Sequence, residues 1–309
     1  MSVIEQAAKR LEELRRAGID IPGDPGQNTS RSSAQNTNGA TVFPATSHVD
    51  AAIAAVGVAE YSGVRTAVSA SVELDLVMLA KLGFVTPDSP RSRIADEFRI
   101  VKRPLIANAS GKGTTPIKNG NLIMVTSAVP GEGKTFSAVN LAMSIAMELD
   151  QTVLLVDADV ARPSLPRLLG LPSGKGLLDA LHDKSFDLDH ALIRTNVEKL
   201  SILTSGTQHA RATELLASDA MDRLLDEMAT RYPNRIVVFD SPPLLVTTEA
   251  RVLATHMGQI VFVVQAEATL KSEVKRALAT IETCPVKMIL LNQARTVAQG
   301  AYGYGYGYN

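Results

Sequence analysis

The eight residues Ala128-Val-Pro-Gly-Glu-Gly-Lys134-Thr135 set two glycines, a lysine and a hydroxyl close to the order G-x-x-x-x-G-K-[ST], with Ala128 where the first glycine of the pattern belongs. Each residue type has a chemical reason to be there. Gly131 and Gly133 let the main chain wrap close to phosphate oxygens. Pro130 and Glu132 complete the loop, and the amides that open the next helix, up to Phe136, point at an anion. Lys134 brings a point charge to terminal phosphates, and Thr135 offers its hydroxyl to Mg²⁺. The bland alternative is a glycine-rich turn with a solvated lysine. The flanks favour the phosphate loop: an apolar strand over 121–127 precedes it and the helical run FSAVNLAMSIAMEL follows it.

Two further acidic sites end apolar runs. Val153-Leu-Leu-Val-Asp157-Ala-Asp159 places two carboxylates two residues apart, a spacing that puts both on one face of a strand. At the carboxyl edge of an open sheet they would coordinate Mg²⁺ or accept the proton of an attacking hydroxyl. Capping of the helix that follows is the competing role. Ile236-Val-Val-Phe-Asp240-Ser-Pro-Pro again ends a strand in an acid, suited to hold Mg²⁺ through water, with two prolines to stop the strand. Asn292 closes the last apolar strand, and its amide suits either reading a base edge or capping a turn.

The elements that position these residues alternate. From about Pro90, short unbroken apolar runs (NLIMVTS, TVLLVDAD, LSILTS, RIVVFDSPP, QIVFVVQ, VKMILLN) are separated by helical segments. Runs of that kind suit strands buried on both faces, so the pattern predicts an α/β fold with a mostly parallel sheet flanked by helices. Ahead of it, Ile4, Ala7, Ala8, Leu11 and Leu14 recur at helical spacing in an amphipathic helix within 1–19. That helix would dock on its own domain or on a partner. Residues 20–89 read as a flexible linker and partly helical extension whose role the sequence leaves open. The phosphate-loop domain is expected over 90–295. The tail over 296–309 places Tyr302, Tyr304, Tyr306 and Tyr308 alternately with glycine, on a tether that glycine keeps from packing. Such a tail is either a sticky low-complexity end or a substrate for repeated phosphorylation, each phosphate adding about −1.5 to −2 charge.

Composition narrows the class. Lys plus Arg is 31 against 32 Asp plus Glu in 309 residues, a net charge of −1 that gives no compositional case for nucleic-acid binding. The one cysteine, Cys284, excludes a disulfide framework within the chain. No apolar run approaches the roughly 20 residues of a membrane span, so a cytoplasmic protein without a span of its own is expected.

With these motifs in view, residues 90–309 resemble the bacterial tyrosine kinases (BY-kinases) that control exopolysaccharide synthesis and export. The resemblance rests on PGEGKT, on VDAD as the family's additional Walker A prime motif, on FDSPP and on the terminal tyrosines. The N-terminal IEQAAKRLEELRRA, TPDSPRSRIADEFRIVKRPL and VDADVARPSLPRLLGL are similar to the subgroup found with exosortase-type exopolysaccharide loci. It implies a P-loop fold of the deviant Walker (MinD- and ParA-like) type, Mg·ATP as phosphoryl donor, and transfer to the terminal tyrosines of neighbouring subunits. Carried over by motif, Lys134, Asp157, Asp159 and Asp240 are catalytic, and Thr135, Asp159 and Asp240 serve the metal. Which Walker A prime acid is the base stays open. Asp96-x-x-Arg99-x-x-Lys102 is a softer form of the family's Glu-x-x-Arg-x-x-Arg subunit-contact helix. The arginine that the family places two residues after the second acid is Ala161 here, with Arg162 beside it as the candidate for nucleotide contact. The resemblance also implies a homo-oligomer, a separate inner-membrane polysaccharide co-polymerase or adaptor that recruits the chain to the membrane's cytoplasmic face, and a phosphatase. The alternative is a non-kinase ATPase switch that dimerises on ATP. The signature lysine of such switches falls at Val129 here, and they lack a tyrosine tail.

Overall fold

In the computed structural model the described residues are 70–294 apart from 114, 184 and 233, so the N-terminal helix and the tyrosine tail lie outside them. Every described residue belongs to one compact unit.

Eight strands form one sheet in the order β1-β4-β5-β3-β6-β2-β7-β8. They are β1 (Ser71–Val72), β2 (Leu122–Ser127), β3 (Thr152–Asp157), β4 (Ile193–Thr195), β5 (Leu200–Leu203), β6 (Arg235–Asp240), β7 (Gln259–Gln265) and β8 (Val286–Asn292). The six from β5 to β8 run parallel; β4 pairs antiparallel with β5, and β1 follows β4. Every residue of β2 is buried, as are the last five of β3 and of β6. That burial is why these strands read as continuous apolar runs rather than alternating ones.

Alternate residues feed opposite layers. Leu122 and Met124 enter a core shared with α5 (Leu177–His182), α6 (Ala212–Leu216), α7 (Asp219–Thr230), α8 (Thr248–Ala254) and α9 (Lys271–Ala279). Ile123 and Val125 enter the other, with α1 (Leu76–Lys81), α2 (Arg93–Ala109), α3 (Lys134–Ala146) and α4 (Leu165–Leu169). Among the described residues no helix is long and apolar enough to cross a membrane.

Two sequence expectations shift. The packed domain begins before residue 90: β1 pairs with β4, Leu79 and Val85 are fully buried in the α3-side core, and the Val85 amide donates to Asn140 Oδ1 at 2.6 Å. The helix α1 falls within the extension that the sequence reads as partly helical, whereas a two-residue strand is too short to show periodicity. On α2, Lys102 is turned inward. Its ammonium pairs with Glu148 Oε1 at 2.7 Å and also donates to the Ser144 carbonyl, at 5% side-chain exposure. Only Asp96 and Arg99 of the three-residue signature stay at the surface, paired with each other. Lys102 therefore serves its own fold rather than a subunit contact.

Candidate active site

The phosphate loop links β2 to α3, and its shape is fixed from inside. Gly131 and Gly133 sit at φ +89° and +92°, the left-handed region that favours glycine. The Glu132 side chain, 1% exposed, folds under the loop. One of its oxygens accepts from the Val129 amide at 2.7 Å and the other from the Thr269 hydroxyl. The Glu132 side chain thus shapes the loop rather than facing a phosphate. Asn292 Nδ2 donates to the Glu132 carbonyl at 2.9 Å and Gln293 Nε2 to the Gly131 carbonyl at 3.3 Å. The carboxyl ends of β7 and β8 therefore clamp the loop from one side. The structure gives Asn292 this clamp, a role that the sequence reading did not name.

α3 opens at Lys134 with Gly133 as its cap, and no side chain satisfies its first amides. Those N–H groups and the positive end of the helix dipole make an anion site. The Phe136 ring is turned away and packs on Phe84 with centroids 4.9 Å apart, so its backbone alone faces the loop side.

The acids gather on the other side. β3 and β6 are neighbours in register, and Asp157 is the partner of Asp240 at their carboxyl ends. Both are buried. Asp157 Oδ2 accepts from the Leu165 amide at 3.2 Å, while Asp157 Oδ1 and both oxygens of Asp240 have no hydrogen-bond partner. Burial first, and then the Asp240 charge, push the Asp157 carboxyl up to about 7. Burial likewise pushes Asp240 up to about 7, against the pull of the Thr135 hydroxyl and the Lys134 charge.

β3 stops at Asp157, so Asp159 does not share a strand face with it. A turn carries Asp159 Oδ1 to the Arg162 amide at 3.1 Å, and burial raises its carboxyl as well. Asp157 takes the first amide of α4, whereas Asp159 closes a turn onto Arg162 ahead of that helix. Arg162 itself is exposed and touches the site through its backbone.

Sequence reasoning missed four supporting residues. Thr135 Oγ1 and Ser164 Oγ lie 3.0 Å apart, tying the loop to the segment after β3. Thr269 and Gln293 hold the loop, as above. Ser241 Oγ donates to the Val125 carbonyl at 2.9 Å and pins the exit of β6 against β2. All four act across large sequence separations, so no local spacing marks them.

The donor set fits a hydrated divalent cation. Three buried carboxylate oxygens lack partners, a hydroxyl lies beside them, and hard oxygen donors suit Mg²⁺. Among the described residues no three His, Cys, Asp or Glu side chains close round a metal on their own, so phosphate and water oxygens would complete the shell.

A parallel sheet with a glycine loop leading into a helix, and acids at the neighbouring strand ends, define a P-loop nucleotide-binding domain. The AAA domain family matches residues 120–293. The tyrosine-protein kinase YwqD of Bacillus subtilis (strain 168) is 34% identical over 184 residues, covering 59% of this chain and 76% of that protein. The solved kinase domain of the Escherichia coli tyrosine kinase ETK superposes with a TM-score of 0.53 at 31% identity, over 61% of this chain and 73% of that one. The chimerical protein CapA2B2 gives 0.56 at 28% identity, over 71% and 92%. The chain belongs to the AAA-domain proteins and, within them, to the bacterial tyrosine-protein kinases.

Proposed function

We propose that this chain is an autokinase that moves the γ-phosphoryl group of ATP onto Tyr302, Tyr304, Tyr306 and Tyr308 of a neighbouring copy. The observation that carries the reading is the Asp157–Asp240 pair beside the uncapped start of α3: an anion cradle and a cluster of unpartnered carboxylates share one sheet edge. The first amides of α3 and the Lys134 ammonium bind and orient the terminal phosphates. Thr135, Asp159 and Asp240 would hold Mg²⁺. When bound, the ion neutralises charge on the phosphate oxygens. A tyrosine hydroxyl titrates near 10, so its proton needs an acceptor as the oxygen attacks. The Asp157/Asp159 pair supplies one.

The family resemblance supports three further parts of the reading: assembly as a homo-oligomer, recruitment to the inner membrane by a separate adaptor, and control of exopolysaccharide synthesis or export with a phosphatase resetting the tail. The test is intact mass before and after Mg·ATP, with peptide mapping of residues 296–309. Phosphate on the four tyrosines, absent in a folded Lys134→Met variant, is the expected result. ADP release with unmodified tyrosines would replace the kinase with an ATPase switch.

A further inference from the structure

Next to the acids lies a second, unassigned cleft of about 530 Å³. One wall is the segment after β3, where Pro163, Pro166 and Pro172 present their rings; the other is the loop leaving β5, over 204–207. The two walls are locked together. The Leu177 amide donates to the Thr204 carbonyl at 2.9 Å, and Asp179 Oδ2 accepts from the amides of both Gly176 and Thr207, at 2.8 and 2.9 Å. A Cβ on Gly206 would come within 2.7 Å of the Gly176 nitrogen, so only glycine permits this approach. The cleft is built in advance rather than formed by its ligand.

Its position ties it to the chemistry. The Pro163–Pro166 segment is a shared partition. On the cleft side it shows its prolines; on the other side Ser164 Oγ meets Thr135 Oγ1 and the Leu165 amide meets Asp157. One segment of chain thus separates a peptide lying in the cleft from the Thr135 and Asp157 side chains.

We infer that this cleft is the docking groove for the Tyr–Gly repeat over residues 302–308, held extended with one tyrosine on the proline wall while the next enters the site. The inference rests on the kinase reading above and names where its acceptor binds. In an extended chain residues i and i+2 face the same way, so all four tyrosines project from one face and the glycines leave the other bare. A tyrosine ring offers an apolar body to proline and a polar tip to the hydroxyls of Ser173 and Thr207. Lys175 lines the rim with its ammonium 5.1 Å from the centre of the Phe186 ring, from which it would swing to meet a phosphorylated ring.

Chain length favours a second copy as the donor. The sheet order sets five strand spacings between β8 and β5, about 24 Å at ~4.8 Å each. The eight residues from 294 to 302 span at most about 28 Å. A tail that seats Tyr302 in its own groove would have to be almost straight, whereas a neighbour's tail can offer all four tyrosines alike.

Gly174 supplies the test. It lines the cleft, has ordinary φ, and a Cβ there meets nothing within 4 Å, so a large side chain fills the groove without straining the backbone. Full-length wild type, Gly174→Trp and Gly174→Ala are compared with a fluorescent peptide of residues 301–309. Binding is read by anisotropy and transfer as KM and kcat. The expected result for Gly174→Trp is at least tenfold weaker peptide binding and a KM raised by the same factor, with kcat and ATP affinity within twofold; Gly174→Ala stays at wild-type values. Ser173→Trp, also exposed at the rim, repeats the block from a second position. Transfer that proceeds with unchanged KM in both tryptophan variants overturns the groove and leaves the kinase intact. Binding that both variants abolish, in a wild type that transfers no phosphate, supports the groove and overturns the kinase.

Discussion

Asp157 and Asp240 stand opposite each other at the carboxyl ends of adjacent parallel strands, and three of their four carboxylate oxygens have no hydrogen-bond partner. Two buried acids one strand spacing apart cannot both ionise without cost. A fold that keeps such a pair holds it for something positive, and here Lys134 and the amides of α3 are adjacent but do not neutralise it.

That pair sets a pH dependence whose sign is unusual for acids. Both carboxyls titrate near 7 in the native state, against 3.8 ordinarily. Between about pH 4 and pH 7 the native state therefore retains protons that the unfolded chain has released. Stability falls as pH rises through that window and is lowest above 7. Each pH unit of displacement is worth about 1.4 kcal/mol, so one such carboxyl should cost the nucleotide-free protein about 3 kcal/mol between pH 5 and 8, and the coupled pair up to about 6. Melting temperatures in EDTA should decline across this range, and Asp240→Asn should flatten the decline. An unchanged slope in that variant would remove the pair as its source. Added Mg·ADP should restore stability most at the alkaline end, where the charge to be neutralised is complete.

Much of this site was legible in the residues. A glycine loop between an apolar strand and a helix can be read because all its parts lie within about 25 residues, and apolar runs ending in acids announce strands that deliver carboxylates to one edge. What the sequence hid was contact across distance. Thr269 reaches Glu132 over 137 residues and Asn292 over 160, and no spacing rule joins them. Glu132 looked like a phosphate-loop residue because it sits among them; its side chain is buried beneath the loop instead. Lys102 matched a surface pattern, while its helix face turned it into the core. β1 and β4 escaped because strands of two and three residues carry no period.

The inward fold of Glu132 makes it a stability element of the loop rather than a ligand. Glu132→Ala leaves the buried Val129 amide and the Thr269 hydroxyl without an acceptor. A hydrogen bond to a charged group is worth about 1.5–3 kcal/mol, so nucleotide affinity should fall about ten- to hundredfold through loss of loop shape. Thr269→Val removes one of the two contacts and should cost about threefold. Titration with a fluorescent ADP analogue measures both. Since the residues share one interaction, the double variant should be little worse than Glu132→Ala alone; additive losses would show that they act separately.

Gly133 is constrained twice over. Its φ is +92°, and a Cβ there would lie 2.0 Å from Asn292 Nδ2. Gly133→Ala should therefore abolish measurable nucleotide binding and destabilise the fold by about 1–3 kcal/mol. Gly133→Ala combined with Asn292→Gly removes the clash but not the backbone strain, and it also removes the clamp on the Glu132 carbonyl. Partial recovery of melting temperature without recovery of nucleotide binding is the expected pattern. Full recovery of both would mean that the clash alone matters.

Lys102 and Glu148 give the clearest separation between folding and assembly. Burial works to raise the Glu148 carboxyl, but the Lys102 hydrogen bond and charge, together with the charges of Arg103 and Arg99, hold it below the usual carboxylate range. The ammonium has 5% side-chain exposure and the carboxylate 24%, so removing one partner leaves the other poorly solvated. Lys102→Ala should cost about 2–4 kcal/mol in urea denaturation, read as a lower midpoint at unchanged slope. Lys102→Met with Glu148→Leu exchanges the pair for apolar side chains of similar size and should recover most of that loss. If Lys102 instead belonged to a contact between copies, the single variant would keep its denaturation midpoint and lose mass in light scattering as concentration falls. Arg99 shows what that second behaviour looks like from the same helix. Its guanidinium is at the surface, bonded to Asp96 and to the Pro90 carbonyl at 2.9 Å, and nothing in the core depends on it. Arg99→Ala should leave the urea midpoint within about 0.5 kcal/mol of wild type. Of the two, only Arg99 is placed for a contact between copies, so an effect on assembly is expected there and not at Lys102.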